Sequence, residues 1–177
     1  MKKNLIVAAL IAGAMSASVA SADDGKINFV GEITDNACTV TNSVTNPLTV
    51  TLGKVARTAF TGAGSTAAPT KFTIALTNCP ESVTSASVKF DGVADTNVSS
   101  VLALTQATGE DETTASGVGI QIMDKQNVAV PLHTASSAYT LAQGANNLDF
   151  VARYYATSAT VTSGLANSTS NFTIVYN

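Results

Sequence analysis

Apolar and polar residues alternate along this chain in short runs, and the period is two almost throughout. "KINFVGEIT" puts Ile27, Phe29, Gly31 and Ile33 on one face; "KFTIALT" does the same with Phe72, Ile74 and Leu76, and "SVKF" with Val88 and Phe90. "GVGIQIMD" aligns Val118, Ile120 and Ile122. "NLDFVARYYAT" sends Leu148, Phe150, Ala152 and Tyr154 one way, and Asp149, Val151, Arg153 and Tyr155 the other. "NFTIVYN" closes the sequence with Phe172, Ile174 and Tyr176 on one face. Between the runs stand breakers: Asn46-Pro47, "TGAGSTAAPT", "CPES", "DGVADTN", "TGEDETTASG" and "SGLANSTS". Past residue 22 no apolar stripe repeats at 3.6 residues, so helix content is expected to be slight. Short strands with turn signals at near-regular spacing predict one all-β domain, an antiparallel sandwich of immunoglobulin type.

Composition supports strands over disorder: the charged fraction is only 12%, and Thr, Ser, Ala, Val and Gly dominate. The first residues read differently. Lys2 and Lys3 precede an apolar run from Leu5 to Met15, and small residues then lead to Ala20-Ser21-Ala22, the pattern of a signal peptide cleaved after Ala22. A transmembrane anchor is the competing reading, but the run is well short of the roughly 20 residues a bilayer crossing needs. Cleavage takes 22 of 177 residues and leaves 155, enough for one domain. It also removes two of nine cations, so seven face twelve acids and the formal charge is 7 − 12 = −5. That sign argues against a nucleic-acid partner or an anionic membrane surface. No second long apolar run exists, so no membrane insertion is expected after cleavage.

Cys38 and Cys79 both lie in the exported part, where an even pair most simply forms one disulfide. The bond closes a loop of about 40 residues and is worth about 4 kcal/mol in the chain-entropy treatment. Half of a metal site is the alternative, and it lacks partners: the sequence has one imidazole, His133, and no CxxC or HxxxH spacing. No metal and no cofactor is expected.

Catalytic chemistry is equally thin. Ser65 lacks the GxSxG frame of a nucleophile elbow, and His133 reads as a solvated loop residue with no acid or nucleophile at a telling spacing. Glu110, Asp111 and Glu112 lack the alternating ligands of a calcium loop and read as a solvated tip. The Gly-x-Gly of "GVGIQI" runs into a strand, where no phosphate-cradling helix can follow. Asn-x-Ser/Thr triplets at Asn97, Asn167 and Asn171 are expected by chance in so Ser- and Thr-rich a chain. No catalytic residue is assigned.

"GKINFVGEITDNACTV", "FTIALTNCP", "GVGIQIMD", "LDFVARYYAT" and "GLANSTSNFTIVYN", in that order, resemble the major-subunit pilins of chaperone/usher fimbriae of the type 1 kind. The likeness covers residues 25 to 177 and includes the cysteine spacing, a glycine fourteen positions from the end (Gly164) and a penultimate tyrosine (Tyr176). It implies an incomplete immunoglobulin-like sandwich, completed by a donor strand from a neighbouring subunit. Residues 1–22 are then the signal peptide, 23–36 a donor-strand extension and 37–177 the pilin domain. Ile27, Phe29, Gly31 and Ile33 become the donor residues, while Gly164, Phe172, Ile174, Tyr176 and Asn177 form the groove-edge strand and the motif that chaperone and usher read. The implied partners are further copies of the chain joined head to tail, a periplasmic chaperone, an outer-membrane usher, minor pilins and a tip adhesin. The implied place is the cell surface, reached through the periplasm, and the implied role is a structural fimbrial subunit supporting adhesion. One departure stands out: only fifteen residues, Asp23 to Ala37, precede Cys38, a short extension for the family.

Alternation alone leaves two choices open. "KINFVGEI" serves equally as a resident first strand or as a donated one, because both use the same pairing physics. A minor adaptor or tip subunit contacting a host ligand is the second functional reading. A two-domain adhesin needs a lectin domain for which 155 residues leave no room. A small secreted enzyme has no constellation to support it.

Overall fold

The computed structural model describes residues 25–31, 33 and 37–176. The expected signal peptide, residues 23, 24, 32 and 34–36 of the expected donor-strand extension, and Asn177 lie outside them. The chain divides into two units between Ile33 and Thr34. In the first, residues 25–31 and 33 form no strand, and their apolar side chains stand in solvent, with Phe29 92% and Ile33 100% exposed.

The second unit is built from seven strands: β1 (Thr39–Val40), β2 (Thr66–Cys79), β3 (Ser85–Asp91), β4 (Val118–Met123), β5 (Tyr139–Thr140), β6 (Gly144–Ala156) and β7 (Asn171–Tyr176). Among the described residues its helical content is one 3-10 turn at Arg57–Ala59. One sheet has the order β1-β2-β6-β4, the other β5-β3-β7, and every neighbouring pair is antiparallel. The sheets face each other across one core. Ile74, Leu76, Leu148 and Phe150 enter it from the first, and Ala86, Val88 and Phe90 from the second. This is the all-β, immunoglobulin-like sandwich that the alternating pattern predicts.

Phe150, 1% exposed, is the hub of that core. Its ring lies 5.1 Å from Phe90, edge to face, 5.6 Å from Phe72, stacked, and 5.4 Å from Tyr139. The Tyr139 phenol is buried as well and donates to the Asp149 carbonyl; burial pushes its pKa up to about 12, which keeps it a donor. The Cys38–Cys79 disulfide ties the residue before β1 to the end of β2. It closes the same pole that the β1–β2 ladder closes, Thr39 lying opposite Thr77 and Val40 opposite Leu76.

β6 has the expected faces: Leu148, Phe150 and Ala152 are buried, while Asp149 is exposed. β2 begins earlier than its pattern suggests, inside "TGAGSTAAPT". The ladder to β6 absorbs the breakers in a bulge between Ala67 and Thr70, where Ala68 takes a left-handed φ of 53° and Pro69, which has no N–H to donate, stands unpaired. β4 is covered on both faces because the preceding loop folds over it. Leu102 bridges Ile120, and the backbone approach is so close that a Cβ on Gly119 would lie 2.5 Å from the Leu102 carbonyl.

Candidate functional site

β7 is where the sandwich is unfinished. It pairs with β3 along its whole length, Phe172 opposite Phe90, Ile174 opposite Val88 and Tyr176 opposite Ala86, and among the described residues it pairs with nothing on its other side. The three β3 partners are buried. Phe172, Ile174 and Tyr176 face the same core and remain only half-buried. The cause is the missing neighbour: an edge strand keeps one row of N–H and C=O groups unpaired, and its inward side chains lack a wall.

The stretch between β1 and β2 is also without a ladder. Among the described residues, 47–55 form no strand and no backbone–backbone hydrogen bond, although Val50, Leu52 and Val55 are half-buried. The polarity of the opening follows from three contacts. The Tyr176 hydroxyl lies 3.4 Å from the Cys38 carbonyl, so the end of β7 sits at the disulfide pole. At the far end of β2, Ala67 pairs with Tyr154, and the Tyr154 hydroxyl reaches the Gly53 carbonyl at 3.5 Å. Residues 40 to 53 therefore run from one pole to the other, and the apolar groove is the unpaired inner face of β7, half-buried at Phe172, Ile174 and Tyr176. Burial holds the Tyr176 phenol above its ordinary pKa, although the hydrogen bond to Cys38 works the other way.

At the pole away from the disulfide, beside the loop that leads into β7, lies a cavity of about 590 Å³, whose apolar wall includes Val55, Phe60, Val118, Val161 and Leu165. Gly164 lies on this wall, in the loop before β7 and not on the strand itself. Its φ is +154°, and an added Cβ would lie 2.4 Å from the Ala115 nitrogen and 2.6 Å from the Thr113 carbonyl oxygen. Only glycine lets the loop lie against residues 113–115, where Leu165 donates to Thr113 and accepts from Ala115. Gly164→Ala is expected to destabilise the domain by at least about 1–3 kcal/mol, the usual cost of such backbone strain, and to lower its urea midpoint. An unchanged midpoint would show that the loop has room to shift.

The other sequence candidates are dispersed. Cys38 and Cys79 bond as expected. The structure places Ile27, Phe29, Gly31 and Ile33 together only as an exposed segment. His133 lies in a loop with Nδ1 2.8 Å from the Asp91 carboxylate, a partner that sequence spacing could not reveal across 42 residues. Among the described residues no group of three or more His, Cys, Asp or Glu could hold a metal ion. Glu110, Asp111 and Glu112 sit on an exposed turn. A shallower recess beside Asp124 carries no free chemistry. Burial raises the pKa of that carboxyl, yet hydrogen bonds from Val128, Ser137 and Gln126 hold it below the ordinary carboxylate value.

Val50, Leu52 and Val55, and the cavity residues Phe60 and Val161, carry no signal in the sequence reading. Their contribution comes from where the chain is routed, although the alternation of Leu48, Val50 and Leu52 is a cue to an apolar edge.

A two-sheet antiparallel sandwich with an unpaired edge strand, and no catalytic or metal-binding cluster among the described residues, is the architecture of a structural, immunoglobulin-like domain. Comparison with known proteins agrees. The profile of a family described as fimbrial protein matches residues 27–177. The fimbrial subunit type 1 of Salmonella typhimurium is 38% identical, over 98% of this chain and 94% of its own length. The type-1 fimbrial protein C chain of Escherichia coli is also 38% identical, over 91% and 88%. Among solved structures, an antigen and type I fimbria protein of Burkholderia pseudomallei is 40% identical with a TM-score of 0.60, covering 86% of this chain and 97% of that one. The P pilus rod subunit PapA shares the fold at 21% identity, with a TM-score of 0.64 and coverage of 79% and 99%. The chain belongs to the fimbrial protein family, and the relatives named are fimbrial subunits, not enzymes. No helix among the described residues is long and apolar enough to cross a membrane.

Proposed function

We propose that this chain is a shaft subunit of a surface fimbria that polymerises by donor-strand exchange, residues 25–33 of one copy filling the groove of the next. The observation that carries the reading is the half-buried inner face of β7 beside an unpaired edge, matched in the same chain by an exposed alternating segment. Strand addition supplies what both lack: the edge gains a ladder, and Ile27, Phe29 and Ile33 gain a core. Burying those three side chains contributes on the order of 5–8 kcal/mol, at about 1.5–3 each, comparable to a whole domain's stability.

The lengths agree. β7 has six residues, and at about 3.4 Å per residue it spans about 20 Å, close to the reach of Ile27 to Ile33. Every strand pair in the domain is antiparallel, and an antiparallel addition continues that sheet. Ile27 then falls beside Tyr176, Phe29 beside Ile174, Gly31 opposite the bulky Phe172, and Ile33 beyond the strand's start, at the cavity. Each copy donates forward and accepts from behind, so the contact is heterologous and extends into a filament. An uncomplemented groove exposes apolar surface on the way to the filament, and a periplasmic chaperone that lends a strand and holds the Asn177 carboxylate, then an outer-membrane usher that directs exchange, meet that need. Minor pilins and a tip adhesin join through the same contact, and the filament supports adhesion.

The test is a chain starting at Thr34, compared with the mature chain. The shortened chain is expected to remain monomeric and to accept a synthetic peptide of residues 23–36, with electron microscopy showing filaments from the mature chain alone. Filaments formed equally well by both chains would refute donation by this segment.

A further inference from the structure

The cavity beside the loop that leads into β7 has cations at its mouth and no carboxylate in its lining. Lys54 and Arg57 both line it, both are exposed, and among the described residues neither takes part in an ion pair or a side-chain hydrogen bond. Most of the domain's other cations are engaged. Lys89 lies 4.0 Å from Asp91, Lys125 sits over the Tyr139 ring, and Arg153 donates to Gln121, leaving Lys71 on the outward face of β2. The acidic turn Glu110–Glu112 precedes the cavity residue Ala115 in sequence, yet makes no ion pair with Lys54 or Arg57. Two cations beside an apolar cavity, in a chain of net negative charge, give its rim a local positive field that suits an incoming anionic group.

We infer that Lys54 and Arg57 recognise the carboxylate of Asp35 from the neighbouring copy, fixing the polarity and register in which the incoming segment is seated. The inference rests on the donor-strand reading above. Ile27, Phe29, Gly31 and Ile33 share one face, and Asp35 is the next residue of that parity. An antiparallel addition carries that end of the segment past Asn171 toward residues 161–167, and there Asp35 arrives about 7 Å beyond Ile33 along the strand. Ile33 meets the apolar wall and Asp35 the rim. Reversed polarity brings Asp23 and Asp24 to the same rim, and a two-residue slip puts Ile33 or Ala37 in Asp35's place, so the identity of the acid that matters reports the seating. A rim pair of this kind acts mainly on the rate of association and its salt dependence.

The experiment follows uptake of fluorescent peptides of residues 23–36 by the dilute mature chain, at low and high salt. Asp35→Lys in the peptide is expected to slow uptake about tenfold at low salt, with the difference closing near 1 M salt, where screening is nearly complete. A Lys54→Glu/Arg57→Glu chain is expected to reverse the preference and take up the Asp35→Lys peptide faster than the parent peptide. Both cations are exposed, and the peptide substitution leaves the accepting domain untouched, so neither arm depends on a damaged fold. Equal uptake of parent and Asp35→Lys peptides overturns this inference and leaves donation standing. Slowing by Asp24→Lys in place of Asp35→Lys overturns it in favour of the opposite polarity. Failure to take up the parent peptide overturns the donor reading and this inference together.

Discussion

A chain carrying Phe29→Asp is expected to fold as the parent does and to form no filaments. Phe29 is 92% exposed in its own chain and no described residue depends on it, so thermal or urea unfolding should be unchanged within about 0.5 kcal/mol, the usual range for surface substitutions. Assembly is a different matter. Under the proposed donation the central apolar plug is lost, at about 2–3 kcal/mol, and a carboxylate is offered in its place to Ile174, Val88 and their neighbours, none of which can pair with it. Together these terms exceed about 4 kcal/mol per joint, or about a thousandfold in the joining equilibrium, and a filament multiplies the loss at every joint. Sedimentation and electron microscopy of the purified variant provide the check. Filaments of normal length would show that Phe29 does not enter a groove, and an altered unfolding midpoint would show that it has a role in its own domain.

Alternation along a strand is legible because it names a face; it does not name a partner. β6 could be read directly, since Leu148, Phe150 and Ala152 are held in the ladder to β2 and face the other sheet across the core, where burial enforces the period. β7 has as clear a pattern, and nothing in it distinguishes a half-buried edge from a covered strand; that difference lies in the absent neighbour. The same holds for residues 25–33, whose pattern fits a resident or a donated strand, and for Leu48, Val50 and Leu52, which alternate without any ladder. Breakers misled where tertiary pairing outweighed local preference, as at Ala68-Pro69 inside β2. β1 and β5, two residues each, are too short to hold a period and arise from what they lie against. His133 and Asp91 meet because a loop crosses the end of β3, a matter of routing, and Lys54 and Arg57 gather at the cavity for the same reason.

Loss of the disulfide is expected to have a large effect on the isolated subunit and little on the filament. Closing 41 residues constrains the unfolded chain by about 4 kcal/mol, a large part of the 5–15 kcal/mol typical of a domain and a larger share of one with an open groove. Location adds to the effect. β1 has only two ladder residues, and the Cys38 carbonyl also receives the Tyr176 hydroxyl, so a Cys38→Ser/Cys79→Ser chain loosens the groove where β7 ends. With an m-value of about 2 kcal/mol per molar, the urea midpoint of the double variant should fall by about 2 M. With a donor segment seated as proposed, its 5–8 kcal/mol outweighs that loss in the filament, because whatever binds only the folded state stabilises it. Reduction of preassembled filaments should accordingly leave them intact under conditions that unfold the reduced monomer. Circular dichroism of monomer and filament with and without reductant separates the outcomes: equal sensitivity of the two would mean that the groove contributes no stabilisation on filling.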